Sequence, residues 1–142
     1  MAGTDEIVRE LQGFYRSYIE AFNREDIDQF TQCFNYPYAW ITGERGLTLC
    51  SSESDHQSFT SQMMIALKGR GWARSQTDRL EAWPMAENLA MIMADVTRFK
   101  GDGTILERVR ASYTLRRMSG GWRIVTLGEI KAPFLGPGNV SR

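Results

Sequence analysis

The sequence is poor in the residues that most often bind metals or carry nucleophilic catalysis. Its 142 positions contain one histidine, His56, and two cysteines, Cys33 and Cys50. A structural zinc site takes about four Cys or His ligands, so these three scattered residues predict no metal site. No serine or cysteine stands in an arrangement with His56 and an acid that would activate it as a nucleophile. No glycine-rich phosphate-binding loop follows a predicted strand, so we expect no cofactor.

The sequence also has no excess of charge of either sign. Lys and Arg together number 17, as do Asp and Glu, and the formal net charge is +0. A chain without a net positive field lacks the sequence-independent attraction to phosphate backbones, so nucleic acid is not an expected partner. Long hydrophobic runs are missing as well. Because no segment approaches the ~20 apolar residues that cross a bilayer, no membrane partner is expected.

The N-terminal segment and the cysteines bear on the compartment. Residues 1–6, Met-Ala-Gly-Thr-Asp-Glu, are acidic and lack the basic-then-apolar order of a signal peptide. Cys33 and Cys50 are expected to be free thiols, which persist in a reducing environment. We therefore predict a cytoplasmic protein.

The sequence does contain enough apolar material for a core. Hydrophobic residues make up 42% and aromatic residues 11% of the chain. A chain of 142 residues has a common size for one domain, so residues 1–142 are predicted to form a single domain. Residues 135–142, which include Gly136, Pro137 and Gly138, are predicted to be a loose C-terminal tail.

Three helices are predicted in the first half of the chain. Apolar residues recur every three or four positions over residues 4–23, which is the period of an amphipathic helix. A shorter helix should begin at Asp26, with Gln29 three positions later in a capping-box arrangement. Pro37 ends helix formation and begins an extended segment. A third helix is predicted to begin at Ser54 and to end at the glycines that follow it.

The second half of the chain predicts an antiparallel meander. Two short turns, at Asp102-Gly103 and at Ser119-Gly120, separate runs in which apolar and polar residues alternate. Since helices come first and strands follow, the predicted fold class is α+β, with helices on one face of a bent antiparallel sheet. The predicted strands are residues 73–83, 89–100, 104–117 and 122–131.

Opposite charges test the register of the first predicted hairpin. A two-residue turn places Arg98 opposite Glu107 and Asp95 opposite Arg110. Each facing pair of opposite charges stabilises by a few tenths to ~1 kcal/mol. A slip of one residue would lose both pairs, so this register is the favoured one.

The same alternation, carried through the second turn, assigns the two faces of the sheet. Tyr113 is then opposite Thr126 on the inner face, toward the helices, and Arg110 is opposite Glu129 on the outer face. The outer face carries several large apolar side chains, which is unusual for a sheet in water, so we expect a partner to cover it. A homodimer packed sheet to sheet is predicted, through Met91, Met93, Phe99, Leu106 and Leu127.

Aromatic residues from three predicted elements converge on the inner side of the sheet. Tyr18 lies on the first helix, Tyr38 and Trp40 on the first strand, and Tyr113 on a central strand. These rings either fill the core or line a cavity for a flat, mostly apolar small molecule, because buried tyrosine hydroxyls need partners. The candidate ligand-binding residues are Tyr18, Tyr38, Trp40, Arg98, Tyr113 and Thr126.

Several local motifs follow one another along nearly the whole chain. They are Ala21-Phe22-Asn23 before Asp26, Tyr36-Pro37, Gly69-Arg70-Gly71-Trp72-Ala73-Arg74-Ser75, Arg98-Phe99 before Asp102-Gly103, and Tyr113-Thr114-Leu115-Arg116-Arg117 running into Gly121-Trp122-Arg123-Ile124. Each motif alone is weak, but their order resembles the nuclear transport factor 2-like superfamily, and its SnoaL-like and ketosteroid-isomerase-like branches are the most similar.

The resemblance implies a cone-shaped, cystatin-like half-barrel whose sheet curls around a pocket closed by the first helix. It also implies frequent dimerisation through the outer sheet face. The superfamily includes isomerases, dehydratases, cyclases and transport factors, so the fold alone assigns no function. Its steroid isomerases use an aspartate base on the first strand, where this chain has Tyr38-Ala39-Trp40-Ile41.

Three functions stay open at this point. The leading hypothesis is a small-molecule-binding domain with an aromatic-lined pocket inside the cone. The second is a cofactor-free isomerase, cyclase, dehydratase or lyase acting on a ring-bearing or terpenoid-like substrate. In that enzyme Tyr18 or Tyr113 would stabilise an oxyanion and Glu107, beside Arg98, would move the proton. The third is a protein-interaction module that uses the outer sheet face.

Two residues also have plainer interpretations. The pair of Glu107 and Arg98 is also typical of a salt bridge at a pocket rim, which is the plainer of the two interpretations. His56 lies in the polar run of residues 51–58, so we expect an exposed side chain without a role.

Overall fold

The computed structural model describes residues 3–135. Helices come first and strands last, so the predicted α+β class is confirmed, and the part of the tail beyond residue 135 lies outside the described residues. The elements are α1 (Thr4–Asn23), α2 (Ile27–Thr31), β1 (Phe34–Thr42), β2 (Gly46–Cys50), α3 (Glu53–Gly69), β3 (Trp72–Ala86), β4 (Leu89–Lys100), β5 (Ile105–Met118) and β6 (Gly121–Lys131).

Side-chain caps fix the starts of α2 and α3. The Asp26 carboxylate accepts a hydrogen bond of 3.1 Å from the backbone N–H of Gln29, which confirms the predicted start of α2. Helix α3 begins earlier than predicted, because the Ser52 hydroxyl caps it by accepting from the backbone N–H of Asp55 at 3.1 Å.

Helix α1 closes one side of the core. Its apolar stripe includes Leu11 and Ala21, both fully buried. At its C-terminal end the Asn23 side chain makes two hydrogen bonds with the backbone of Ser75 in β3, one donated at 2.9 Å and one accepted at 2.7 Å. These two bonds fix the end of α1 to the sheet, so the helix lies over the inner face.

The sheet has six strands in the order β2-β1-β6-β5-β4-β3. Neighbouring strands are antiparallel except β1 and β6, which pair in parallel. The predicted antiparallel sheet therefore includes one parallel pair, β1 with β6, that we did not predict. Strands β1 and β6 are far apart in sequence, so no local turn signal could have indicated their pairing.

The predicted register is confirmed in the first hairpin and wrong in part of the second. Between β4 and β5, Arg98 pairs with Glu107 and Asp95 pairs with Arg110, as the charges indicated. Between β5 and β6 the pairing changes by one residue after a β-bulge at the Thr114/Leu115 position.

The bulge exchanges the faces of several β6 residues. Tyr113 pairs with Leu127 rather than with Thr126, and Thr126 pairs with Thr114 instead. Because side chains alternate along a strand, a shift of one residue moves each of them to the opposite face. Leu127 is thus a buried inner residue, and its assignment to the outer dimer face was wrong. The assignment of Glu129 to the outer face was wrong for the same reason.

The chain itself covers part of the outer sheet face. The guanidinium of Arg110 binds both carboxylate oxygens of Asp95, at 2.5 Å from Nε and 2.9 Å from Nη2, and both residues are buried. The ring of Phe134, from the segment after β6, lies 4.6 Å from the Arg110 guanidinium carbon.

Among residues 3–135, no helix is long and apolar enough to cross a membrane.

Candidate functional site

Two adjoining cavities lie between the helices and the inner face of the sheet. The inner chamber has a volume of about 60 Å³, and the vestibule outside it has a volume of about 350 Å³. At about 10–15 Å³ per water molecule, the inner chamber has room for about four waters or for one end of a ligand. The neck residues, which line both cavities, are Trp40, Phe59, Met63, Arg98 and Glu129.

Five of the six predicted ligand-binding residues meet at the inner chamber. The exception is Thr126, whose predicted place on the inner face is taken by Leu127. The role of each residue stays a prediction, but the convergence of separate elements on one cavity is a finding. The five that line the chamber are Tyr18, Tyr38, Trp40, Arg98 and Tyr113.

Three tyrosine hydroxyls form a chain at the wall of the inner chamber. The hydroxyl oxygens of Tyr15 and Tyr113 are 3.2 Å apart, and those of Tyr113 and Tyr18 are 3.5 Å apart. Burial raises the pKa of all three hydroxyls well above the ordinary tyrosine value, so they stay protonated. Two contacts use two of the three protons, which leaves one O–H at an end of the chain to donate to another acceptor.

Tyr38 adds a fourth hydroxyl from the opposite side. The residue is only 2% exposed, and burial raises its pKa. Within residues 3–135 its hydroxyl makes no hydrogen bond, although the ring contacts Phe34 with centroids 4.6 Å apart. The hydroxyl is not among the fully buried atoms that lack a partner, so it keeps some accessible surface that a water or a ligand atom can reach.

Glu107 lies outside both cavities and is surrounded by cations. Its carboxylate oxygens are 2.6 Å from Arg98 Nη1, 2.8 Å from Arg70 Nη2 and 3.4 Å from Lys131 Nζ. Burial alone would raise the pKa of Glu107, but the hydrogen bonds from Arg70 and Arg98 outweigh it and lower the pKa to about 2. The catalytic role of Glu107 stays a prediction, and a carboxylate held in this way is a poor proton acceptor.

Glu129 is the acidic residue that does line the cavities, and our sequence reasoning missed it. Its side chain is four-fifths buried, and its Oε1 lies 3.7 Å from Arg98 Nη2. The predicted register placed Glu129 on the outer face, so the error came from the bulge in the second hairpin. No residue pattern in β6 indicates the extra residue of this bulge.

The structure contradicts the prediction that the His56 side chain is exposed. It is 2% exposed and lines the inner chamber, with its ring centroid 4.4 Å from that of Phe34 and 4.7 Å from that of Tyr38. Burial lowers the pKa of His56 to about 4, so the ring is neutral near pH 7. A signal was present: His56, Thr60, Met64 and Leu67 repeat at helical spacing and are the buried residues of α3.

Within residues 3–135 there is no group of three or more His, Cys, Asp or Glu side chains that could hold a metal ion. Cys33 and Cys50 are free and buried, and burial raises the pKa of the Cys33 thiol to about 11. Neither thiol is therefore an activated nucleophile.

The comparisons with known proteins agree on the fold. The family described as "NTF2-like protein (DUF6841)" matches residues 9–129. No curated protein matches this chain in sequence. The family match covers most of the chain and agrees with the superfamily resemblance found in the sequence.

Solved structures show the same architecture at low sequence identity. An NTF2-like protein of unknown function from Pseudomonas putida KT2440 has a TM-score of 0.74 and 16% identity, covering 99% of this chain and 96% of that one. An NTF2-like protein with a cystatin-like fold from Novosphingobium aromaticivorans has a TM-score of 0.73 and 13% identity, covering 90% and 83%. A ketosteroid isomerase-like protein from Erwinia carotovora atroseptica SCRI1043 has a TM-score of 0.68 and 13% identity, covering 91% and 98%. The predicted cone-shaped fold is confirmed.

Proposed function

This chain belongs to the NTF2-like protein family (DUF6841), and we propose that it is a small-molecule-binding domain whose ligand occupies the inner chamber and the vestibule. The observation that carries the proposal is the shared neck of the two cavities. A ligand that enters the vestibule can reach the buried tyrosine hydroxyls between Trp40, Phe59 and Met63. A volume of about 350 Å³ lies in the range of about 300–1,000 Å³ that is typical of ligand sites.

The lining of the cavities defines the kind of ligand. The chamber walls are mostly aromatic and aliphatic, and their hydrogen-bonding groups gather at the tyrosine hydroxyls, at His56 and at the neck, which suits a flat molecule with one or two polar atoms. Because the inner chamber is much smaller than the vestibule, only one end of such a molecule enters it. Arg98 and Glu129 then face the middle of the ligand at the neck.

Replacing Tyr113 by phenylalanine tests this site with a carbonyl-bearing probe. The variant keeps the ring but removes the middle hydroxyl of the chain, so the end O–H that donates to the ligand is no longer held in place, and binding of 2-acetylnaphthalene should weaken by about 1 kcal/mol or more. Binding of naphthalene, which has no acceptor, should change little and is the matched control. Titration calorimetry measures both. Failure of either probe to bind the wild-type protein would contradict the proposed function.

A second candidate function is a cofactor-free isomerase, cyclase, dehydratase or lyase. It is favoured by the presence of an acid at the neck, with Glu129 beside Arg98, and of hydroxyl donors in the chamber. Glu129 would take the proton in place of Glu107, and Tyr113 or Tyr18 would donate to the developing oxyanion. An enzyme should catalyse exchange of the methyl protons of 2-acetylnaphthalene in D₂O, whereas a binder should not. In Glu129→Gln this exchange should be lost while binding persists.

We also propose that two copies pair through the outer sheet face. Without Leu127, that face still presents Met91, Met93, Phe99 and Leu106, and Met91 is 37% exposed. Two copies of the sheet can bury such residues against each other. We further propose a cytoplasmic location, with which the free thiols of Cys33 and Cys50 are consistent.

A charge on the outer face should dissociate the proposed dimer. We expect wild-type protein to scatter light as a dimer at micromolar concentration and Met93→Glu to scatter as a monomer, because the carboxylate would be buried without a partner. Ile65→Glu is the matched control, since Ile65 is 72% exposed on α3 and lies away from the sheet face. If the wild-type protein scatters light as a monomer, the dimer proposal is wrong, and the outer face would be available to a different protein partner.

A further inference from the structure

The single histidine has an unusual environment for a buried polar side chain. His56 lies in the first turn of α3 and lines the inner chamber. Five aromatic rings surround the imidazole, with centroids 4.4–6.4 Å from its own. They are those of Phe30, Phe34, Tyr36, Tyr38 and Phe59.

The hydrogen bonds around Tyr36 assign the tautomer of this ring. The Tyr36 hydroxyl lies 2.8 Å from the backbone carbonyl oxygen of Thr31 and 2.8 Å from Nδ1 of His56. A carbonyl oxygen can only accept, so the single hydroxyl proton goes to Thr31. The hydroxyl oxygen must then accept from His56, which places the proton on Nδ1. The reverse arrangement would leave the Thr31 carbonyl without that donor.

This assignment leaves Nε2 of His56 as a lone-pair acceptor. Burial lowers the pKa of the ring to about 4, which is consistent with a neutral imidazole. Within residues 3–135, Nε2 makes no hydrogen bond, and the aromatic rings around it supply no N–H group. Nε2 is not among the fully buried polar atoms that lack a partner, so it keeps some accessible surface at the chamber, where a water or a ligand can donate to it.

We propose that the ligand of this cavity carries a neutral phenol-class hydroxyl and that this O–H donates to Nε2 of His56. The inference rests on the proposed binding function and names its ligand class. The aromatic walls favour a flat ring, and the small chamber admits its hydroxyl-bearing end. A phenolate or an ether oxygen would place one acceptor against another at this wall. Tyr36 is a positioning residue, because it acts only through the imidazole.

Two naphthalene probes that differ in one donor test the inference. We expect 2-naphthol to bind about tenfold more tightly than 2-methoxynaphthalene, since only the naphthol donates a hydrogen bond. The ratio should fall to about one in His56→Phe, which keeps an aromatic ring but removes both nitrogens. In Tyr36→Phe the ratio should fall partway, because Nδ1 is no longer held as the donor.

Ring ¹⁵N NMR of the wild-type protein gives a second readout that needs no variant to fold. The protein has one histidine, so the ring signals are unambiguous. We expect Nδ1 to be protonated and the Nε2 signal to move on addition of 2-naphthol but not of 2-methoxynaphthalene. A proton on Nε2, or equal affinities for the two probes, would overturn the inference and leave the binding function standing. If neither naphthalene binds, the proposed function fails and the inference fails with it.

Discussion

Replacing Glu107 by glutamine is expected to lower the free energy of unfolding by about 2–4 kcal/mol near pH 7. The Glu107 carboxylate pairs with Arg98, which is itself about nine-tenths buried, and with the more exposed Arg70 and Lys131. Glutamine keeps one acceptor oxygen but removes the negative charge, so the buried guanidinium loses its nearer anionic partner and keeps only Glu129 at 3.7 Å. Urea denaturation followed by circular dichroism measures the change.

Glu25→Gln is the matched control for this experiment. Glu25 makes a salt bridge of 2.9 Å with Lys68, but both side chains are more than two-fifths exposed. Water and salt screen such a pair, so its loss should cost less than about 1 kcal/mol. If the two glutamine variants were equally stable, the cluster around Glu107 would be no more important than a surface pair.

The pH dependence of the Glu107 effect has a definite sign. The folded-state pKa of about 2 lies below the ordinary glutamate value, so the stabilisation is complete above that ordinary value. It is lost as the pH falls through about 2, where the folded protein also takes up the proton. The difference between wild type and Glu107→Gln should therefore shrink in acid. A difference that is unchanged at pH ~2.5 would show that the ionised carboxylate is not its cause.

Replacing Leu11 by alanine is expected to cost about 3–5 kcal/mol of unfolding free energy. Leu11 is fully buried on α1, one turn before Tyr15, and the missing atoms would leave a void between the helix and the sheet. The same substitution at Leu49, which is 57% exposed on β2, is the control and should change stability by less than ~1 kcal/mol.

The Leu11 variant also tests whether α1 keeps the tyrosine chain in place. Tyr15 and Tyr18 reach Tyr113 from this helix, so a loosened α1 should weaken binding of 2-acetylnaphthalene as well as stability. Leu49→Ala should leave that binding unchanged, because Leu49 lines neither cavity. A Leu11→Ala protein as stable as the control would mean that the helix repacks without loss.

The predictions that the structure confirms depended on local features of the sequence. The helix period over α1 and the cap at Asp26 depend only on residues a few positions apart, and the structure confirms both. In the β4–β5 hairpin, the short turn and the facing charges Arg98 and Glu107 constrained the register from both ends. The convergence of Tyr18 and Tyr113 on one cavity followed from these elements.

The candidate site changed where tertiary structure overrode the local pattern. A β-bulge exchanged Thr126 for Leu127 at the inner face and brought Glu129 to the neck. The polar neighbours of His56 indicated exposure, but α3 packs with its His56, Thr60, Met64 and Leu67 face buried, which places the imidazole among the aromatic rings. Sequence reasoning therefore chose Glu107 as the acid and dismissed the histidine.

The sequence by itself determined the α+β order, the three helices, the first hairpin register and the aromatic character of the interior. These depend on hydrophobic period, turn chemistry and charge pairs, which act between residues close in the chain. Only the tertiary structure decided the parallel pairing of β1 with β6, the bulge in the last hairpin and the burial of His56. The physical reason is that packing of whole segments against one another sets these features, and it outweighs the local patterns that sequence reasoning followed, such as the polar run around His56.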